Sequence, residues 1–125
     1  MMLRMGFDAV RIGRVARSIQ KPRFCERIFS PEENRLINSR PRPAQTAAAH
    51  FAAREALAKA LRCGIFGFDL KEAAVLRRPD GSPCFAFSGR LAQRMQREGL
   101  VAELSLAHEG EYAFACVLLQ RVGKE

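Results

Sequence analysis

The 125-residue chain has no tryptophan and a single tyrosine, Tyr112, which argues against an aromatic surface on which bases could stack. Its four cysteines, Cys25, Cys63, Cys84 and Cys116, form no C-x-x-C pair, which argues against a zinc cluster or a thioredoxin-type dithiol. Each sits among apolar neighbours. With neither a secretory signal nor a dense disulfide framework, they are expected to stay reduced in the cytoplasm. The longest apolar run, AFACVLL at 113–119, is far too short to cross a bilayer and is expected to be a buried strand. There is no internal repeat, low-complexity tract or linker, so residues 1–125 are expected to form one domain. Acidic residues are scarce, 13 against 21 Lys and Arg, for a formal charge of +8. Such an excess favours an anionic partner. It is concentrated at the start, where Arg4, Arg11, Arg14, Arg17, Lys21, Arg23 and Arg27 face only Asp8 and Glu26.

What the chain does have is a long alanine-rich helix. AQTAAAHFAAREALAKALRCG, from Ala44 to Gly64, contains no breaker. Pro41 and Pro43 lie just upstream, and Gly64 is expected to supply the left-handed residue at its end. At 3.6 residues per turn Ala53, Leu57, Ala60 and Leu61 share one side, which needs an apolar partner. Glu55 and Lys59 fall on another stripe, among Ala48, Phe51, Ala52 and Ala58. Spacing leaves two readings of that pair open: an (i, i+4) ion pair on a solvated face, or a metal-binding carboxylate one turn from a phosphate-binding ammonium.

MMLRMGFD alternates with Leu3, Met5 and Phe7 on one side, the period of a half-buried strand, and Asp8 comes at its end. A helix is expected from Ala9 to Gln20, with Arg11, Arg14 and Arg17 as a basic ridge; Asp8 is then either its cap or a lone functional carboxylate. Ser30-Pro31-Glu32-Glu33 is a capping box that opens a short helix ending by Ser39. LKEAAVLRR and CFAF, around the turn Pro79-Asp80-Gly81-Ser82-Pro83, predict a hairpin. GRLAQRMQREG predicts an amphipathic helix with Leu91, Ala92 and Met95 inward, closed by Gly99. Two strands around His108-Glu109-Gly110-Glu111 end the chain, with Ser105 and His108 near the turn.

In order, Asp8, the helix FAAREALAKALRCGI, the turn DGSP and SLAH before the last strand resemble the 4'-phosphopantetheinyl transferases, and by length the short holo-[acyl-carrier-protein] synthase class. The resemblance implies an α+β fold, a small antiparallel sheet packed on a long central helix. It implies Mg²⁺-dependent transfer of 4'-phosphopantetheine from coenzyme A to a serine of an acidic acyl carrier protein, with release of 3',5'-ADP. Asp8 and Glu55 match the family's metal ligands, and Glu55, Lys59 and Asp8 its catalytic set. Lys59, Gly64, Arg54, Ser105 and His108 match positions around the cofactor. Arg14 matches a carrier-docking arginine, with Arg11, Arg17, Arg23 and Arg27 as helpers. Relatives of this length are homotrimers with shared active sites, Asp8 and the central helix coming from different subunits.

Several positions depart from the pattern. Arg54 replaces a lysine, His50 an arginine that helps hold the nucleotide, Arg62-Cys63-Gly64 a G-T-G, Ser82 the lysine of G-K-P, and Glu109 follows His108. Arg54 and Arg62 keep or add positive charge for phosphate, while Ser82 removes a cation and Glu109 places an acid beside His108. These changes suit a specialised transferase or a catalytically impaired carrier-binding paralogue. The rival from another class, a small basic nucleic-acid-binding protein, meets the missing aromatic surface and the absence of a helix-turn-helix, zinc or RNP signature.

Overall fold

A computed structural model describes residues 2–122; Met1, assigned to the first strand from sequence, and residues 123–125 of the expected domain lie outside them. Strand β1 (Leu3–Arg11) leads into helices α1 (Ile12–Ser18), α2 (Pro22–Ile28), α3 (Pro31–Ser39) and α4 (Pro43–Leu61). A 3₁₀ turn (Leu70–Glu72), strands β2 (Ala73–Arg77) and β3 (Pro83–Phe87), helix α5 (Gly89–Arg97), and strands β4 (Leu100–Glu109) and β5 (Tyr112–Arg121) follow. The strands form an antiparallel sheet of order β1-β5-β4 and a separate β2-β3 hairpin. This is the expected α+β architecture.

Helix α4 is the core. Ala47, Ala48, Ala52, Ala53, Ala56, Leu57 and Ala60 are all fully buried, so the helix is covered on nearly every side rather than along one stripe. Small side chains make that possible, because they let strands and helices approach its backbone. The sheet supplies one cover, with Ala113, Ala115, Val117 and Leu119 of β5 alternating into the core. Leu57 alone, fully buried, is worth about 1.5–3 kcal/mol by transfer.

Local signals set several boundaries as expected. Ser30 accepts the Glu33 N–H and Glu33 returns a carboxylate to the Ser30 N–H, completing the capping box of α3. The β2-β3 hairpin pairs Arg77 with Pro83 across its turn. Gly99, at φ +66, closes α5, and Leu91 and Met95 point inward.

Elsewhere tertiary contacts decide. RFCERIF, left unassigned from sequence, forms most of α2, with Pro22 at its first turn. LKEAAVLRR begins as the 3₁₀ turn and becomes a strand only at Ala73. Pro43 lies inside the first turn of α4 rather than upstream, and the left-handed residue that ends the helix is Arg62, at φ +62, not Gly64. β1 continues to Arg11, so Asp8 sits in mid-strand opposite Ala115 and caps nothing; Arg11 is a strand residue, and only Arg14 and Arg17 of the expected ridge share α1.

β1 turns its apolar side away from the core. Leu3, Met5 and Phe7 are 59, 65 and 56% exposed, while Gly6 and Val10 are buried against α4. The strand's apolar side therefore faces outward, along with Phe114, whose ring stacks on Phe7 at 6.2 Å between centroids. AFACVLL is accordingly buried on one face only.

Candidate active site

The site starts at a missing side chain. A Cβ on Gly6 would lie 1.8 Å from the Ala56 carbonyl oxygen and 2.9 Å from the Ala60 nitrogen, so only glycine lets β1 rest directly on α4. Two residues later the strand's period returns Asp8 to the same face, where Glu55 and Lys59 emerge from the helix. Lys59 Nζ donates to Asp8 Oδ1 at 3.1 Å and to the Phe7 carbonyl at 3.0 Å. Lys59 thus pairs across to the strand and not along its own helix with Glu55.

Burial raises the Glu55 carboxyl, and the neighbouring Asp8 adds to this through hydrogen bonding and negative charge, taking it to about 7. Arg14 of α1 and Lys59 act in the opposite sense. Asp8 Oδ2 is buried with no N–H donor among the described residues, so only a protonated Glu55 is left to serve it. Two crowded carboxylates, one with an oxygen lacking an N–H donor and the other reluctant to ionise, form a site short of positive charge. Among the described residues no larger cluster of His, Cys, Asp and Glu is poised for a metal. A pair of carboxylates suits Mg²⁺, which keeps several waters and takes its remaining ligands from phosphate.

Asp8 and Glu55 come together within one chain. The expectation that Asp8 and the central helix belong to different subunits is therefore corrected, and the Gly6 contact is the physical reason.

Arg54 requires a second correction. It is fully buried, with no surface from which to reach a cofactor. Its Nη1 and Nη2 hold both oxygens of Glu33, Nη1 also donates to the His50 carbonyl at 3.2 Å, Nε donates to the Leu70 carbonyl at 2.9 Å, and the guanidinium lies over the Phe29 ring. His50, likewise fully buried, places Nδ1 2.8 Å from Glu33 Oε2 and Nε2 3.1 Å from Arg77 Nη1. Burial holds the imidazole below the ordinary histidine value despite Glu33, so it is neutral, its Nδ1–H donating to Glu33 and its Nε2 accepting from Arg77. For Glu33, burial acts upward, but the hydrogen bonds from His50 and Arg54 together with their charges outweigh it and hold the carboxyl below its usual value. Sequence reading identified Glu33 only as a helix cap. Its second role depends on residues 17 and 21 positions away, which no local pattern marks.

The remaining candidates divide between other surfaces. His108 borders a cleft of about 330 Å³ with Arg40, Arg42, Gln45 and Thr46, beside the first turn of α4. Glu55 lies about ten residues further along the helix, or about 15 Å. Ser105 is exposed on β4, and Glu109 is exposed at its end. Gly64 lies in the loop after α4, and a Cβ there would meet nothing within 4 Å. Ser82 is tied into its own turn by Asp80 and Arg78.

The docking candidates are split as well. Arg11 is held by Glu111 at 3.2 Å and Tyr112 at 2.9 Å, whereas Arg23 and Arg27, with Lys21, rim an apolar pocket of about 390 Å³ floored by Phe24, Ile28 and Phe51. Phe51 stands one turn before Glu55 on α4. Sequence reading gave Phe51 to the surroundings of the carboxylate and missed its place in this pocket.

Among the described residues no helix is long and apolar enough to cross a membrane. Residues 4–117 match the model of the 4'-phosphopantetheinyl transferase superfamily. The chain is 40% identical over 124 residues to the holo-[acyl-carrier-protein] synthase of Koribacter versatilis, covering 96% of this chain and 99% of that protein. Two solved structures share its fold at 28% identity. One is an ACPS–CoA complex from Chronobacterium ammoniagenes, with a TM-score of 0.84 over 98% of this chain and all of that one. The other is holo-[acyl-carrier-protein] synthase from Neisseria meningitidis, with a TM-score of 0.86 over 94% of this chain and 97% of that one. With the acid pair, the lysine beside it and these full-length similarities in agreement, the chain belongs to the 4'-phosphopantetheinyl transferase superfamily, among its holo-[acyl-carrier-protein] synthases.

Proposed function

We infer that the chain, as a single domain in the cytoplasm, transfers 4'-phosphopantetheine from coenzyme A to a serine of an acidic acyl carrier protein, with Mg²⁺, and releases 3',5'-ADP. The observation that carries this reading is the Asp8 carboxylate beside Glu55, with Oδ1 held by Lys59 and a buried Oδ2 that has no N–H donor among the described residues. Asp8 and Glu55 would hold the metal, which when bound supplies positive charge to the diphosphate oxygens. The serine oxygen attacks the β-phosphorus, and the bond to the bridging oxygen breaks. Glu55 accepts the serine proton at its carboxylate. Lys59 Nζ, exposed yet anchored to β1, stabilises the charge that gathers on the departing phosphate.

Arg14, Arg23 and Arg27 receive the acidic carrier on the α1–α2 face. Arg11 contributes to the field, although Glu111 already claims its guanidinium. Association weakens with salt as opposite charges are screened.

The active enzyme is a homotrimer. The outward apolar side chains of Leu3, Met5 and Phe7 support burial of the sheet face against other copies. The separation of the His108, Arg40 and Arg42 cleft from Glu55 supports a site completed by a neighbour's cleft. Ser105 and Gly64 then line the shared nucleotide site, their surfaces being open in one chain.

Incubation with CoA, Mg²⁺ and apo carrier proteins, followed by mass spectrometry, tests the reaction. One phosphopantetheine per carrier is expected, with equal release of 3',5'-ADP and loss of both on chelation. Carrier binding without mass gain would instead assign a catalytically silent binding protein.

A further inference from the structure

We propose that the basic face of α5, with Phe66, is a second wall of the carrier-docking surface. This rests on the transferase reading and names a contact beyond α1 and α2.

Arg90, Arg94 and Arg97 lie four and three residues apart, on one face of α5. They line a cleft of about 690 Å³ that the 66–69 loop also borders. Two acids also border it, but both are committed to backbone donors. Asp69 accepts the Lys71 N–H at 3.1 Å, and Glu72 accepts the Leu91 N–H at 3.0 Å at the start of α5. Arg94 pairs with Glu98 at 3.0 Å, whereas Arg90 and Arg97 have no hydrogen-bond or ion-pair partner among the described residues. Arg90 and Arg97 therefore offer two guanidiniums without a partner among the described residues, while Asp69 and Glu72 keep their negative charge at the same cleft.

Phe66 makes the connection to the active site. It is 80% exposed and is a wall of both this cleft and the pocket rimmed by Lys21, Arg23 and Arg27. That pocket reaches Phe51, one helical turn from Glu55. The two clefts thus meet at Phe66, and the apolar one comes within one helical turn of Glu55. An exposed aromatic ring between two sets of arginines has the composition of a protein-binding hot spot. A compact acidic carrier that reaches Glu55 across α2 places further acidic surface opposite α5. A small anion would have no use for Phe66.

The test compares wild type with the double variant Arg90→Ala/Arg97→Ala and with Phe66→Ala. All three side chains are exposed, so the variants should keep the fold, and unchanged thermal melts would verify this. Affinity for apo carrier protein is measured at low and moderate salt, together with transfer kinetics. The double variant is expected to bind about tenfold more weakly at low salt, with a shallower salt dependence, and to raise KM for the carrier. Its KM for CoA and its kcat should be unchanged. Phe66→Ala should weaken binding without altering the salt slope. Carrier affinity within twofold of wild type in both variants, while Arg23→Ala weakens it, would overturn the α5 contact and leave the transferase reading intact. If wild type neither binds nor modifies any carrier, the two fall together.

Discussion

Neighbouring residues 54 and 55 of α4 enter opposite electrostatic worlds. Arg54 meets Glu33 in a dry cluster where each carboxylate oxygen has a cationic or imidazole donor, and the acid is held below its ordinary value. Glu55 meets Asp8, and its acid is pushed up to about 7 while Asp8 Oδ2 has no N–H donor among the described residues. Desolvation pushes both carboxyls upward, more so at the fully buried Glu33, so the opposite outcomes come from the sign of the partners. A satisfied cluster fixes the fold, and a dissatisfied one marks a candidate functional site.

The largest effect should come from breaking the satisfied cluster. Arg54→Ala leaves Glu33 buried without its main partner and is expected to cost about 3–5 kcal/mol in urea unfolding. A paired apolar replacement, Glu33→Leu with Arg54→Met, should recover much of that loss. If Arg54→Ala unfolded like wild type, the cluster would have no structural role.

On the other side of the comparison, Lys59→Ala should lower transfer by about 10²- to 10³-fold while leaving the melting temperature within a few degrees. A loss of only a few-fold, measured as kcat on a saturating carrier, would remove Lys59 from the reaction. Gly6→Ala forces β1 off α4 and is expected to cost about 1–3 kcal/mol, with a disproportionate loss of activity because Asp8 moves with the strand. Equal activity per folded molecule would show that the close approach does not position the acids.

The smallest effect sharpens the contrast through pH. Glu55 has a folded value above its unfolded one, so its contribution to stability is complete below about 4.5 and is lost as pH rises through about 7. Glu55→Gln should therefore be more stable than wild type above pH 7 without divalent ions, by on the order of 1 kcal/mol after allowance for its partial exposure. The difference should vanish in acid. Glu33 and His50 act with the opposite sign, since both are depressed: stability falls below about pH 6.5 as unfolded histidine takes up protons, then further as Glu33 protonates. Melting curves of the two proteins across pH, subtracted, isolate Glu55; a flat difference would contradict its raised value.

Legibility in the sequence followed the range of the interaction. The α3 capping box, the Gly99 stop and the β2-β3 turn were readable because each is closed by residues a few positions apart. The family pattern also singled out Asp8, Glu55 and Lys59, and the structure brings these together. Arg54 was misread because the pattern counts its charge and cannot see that α3 and the Leu70 carbonyl enclose it. The outward turn of Leu3, Met5 and Phe7 was missed for a similar reason. Period 2 identifies two faces without saying which one meets α4, and here the polar Asp8 and the bare Gly6 take the inner one.

The amino-acid order alone determined the central helix, most of the other elements and the candidate residues for phosphate chemistry, since these depend on local geometry and side-chain identity. Only the tertiary structure decided which charges meet: Lys59 reaches Asp8 across 51 residues, and Arg54 reaches Glu33 across 21. Coulombic pairing and desolvation act through space, so the division of α4 into a structural side and a reactive side exists only once strand, sheet and helices have closed around it.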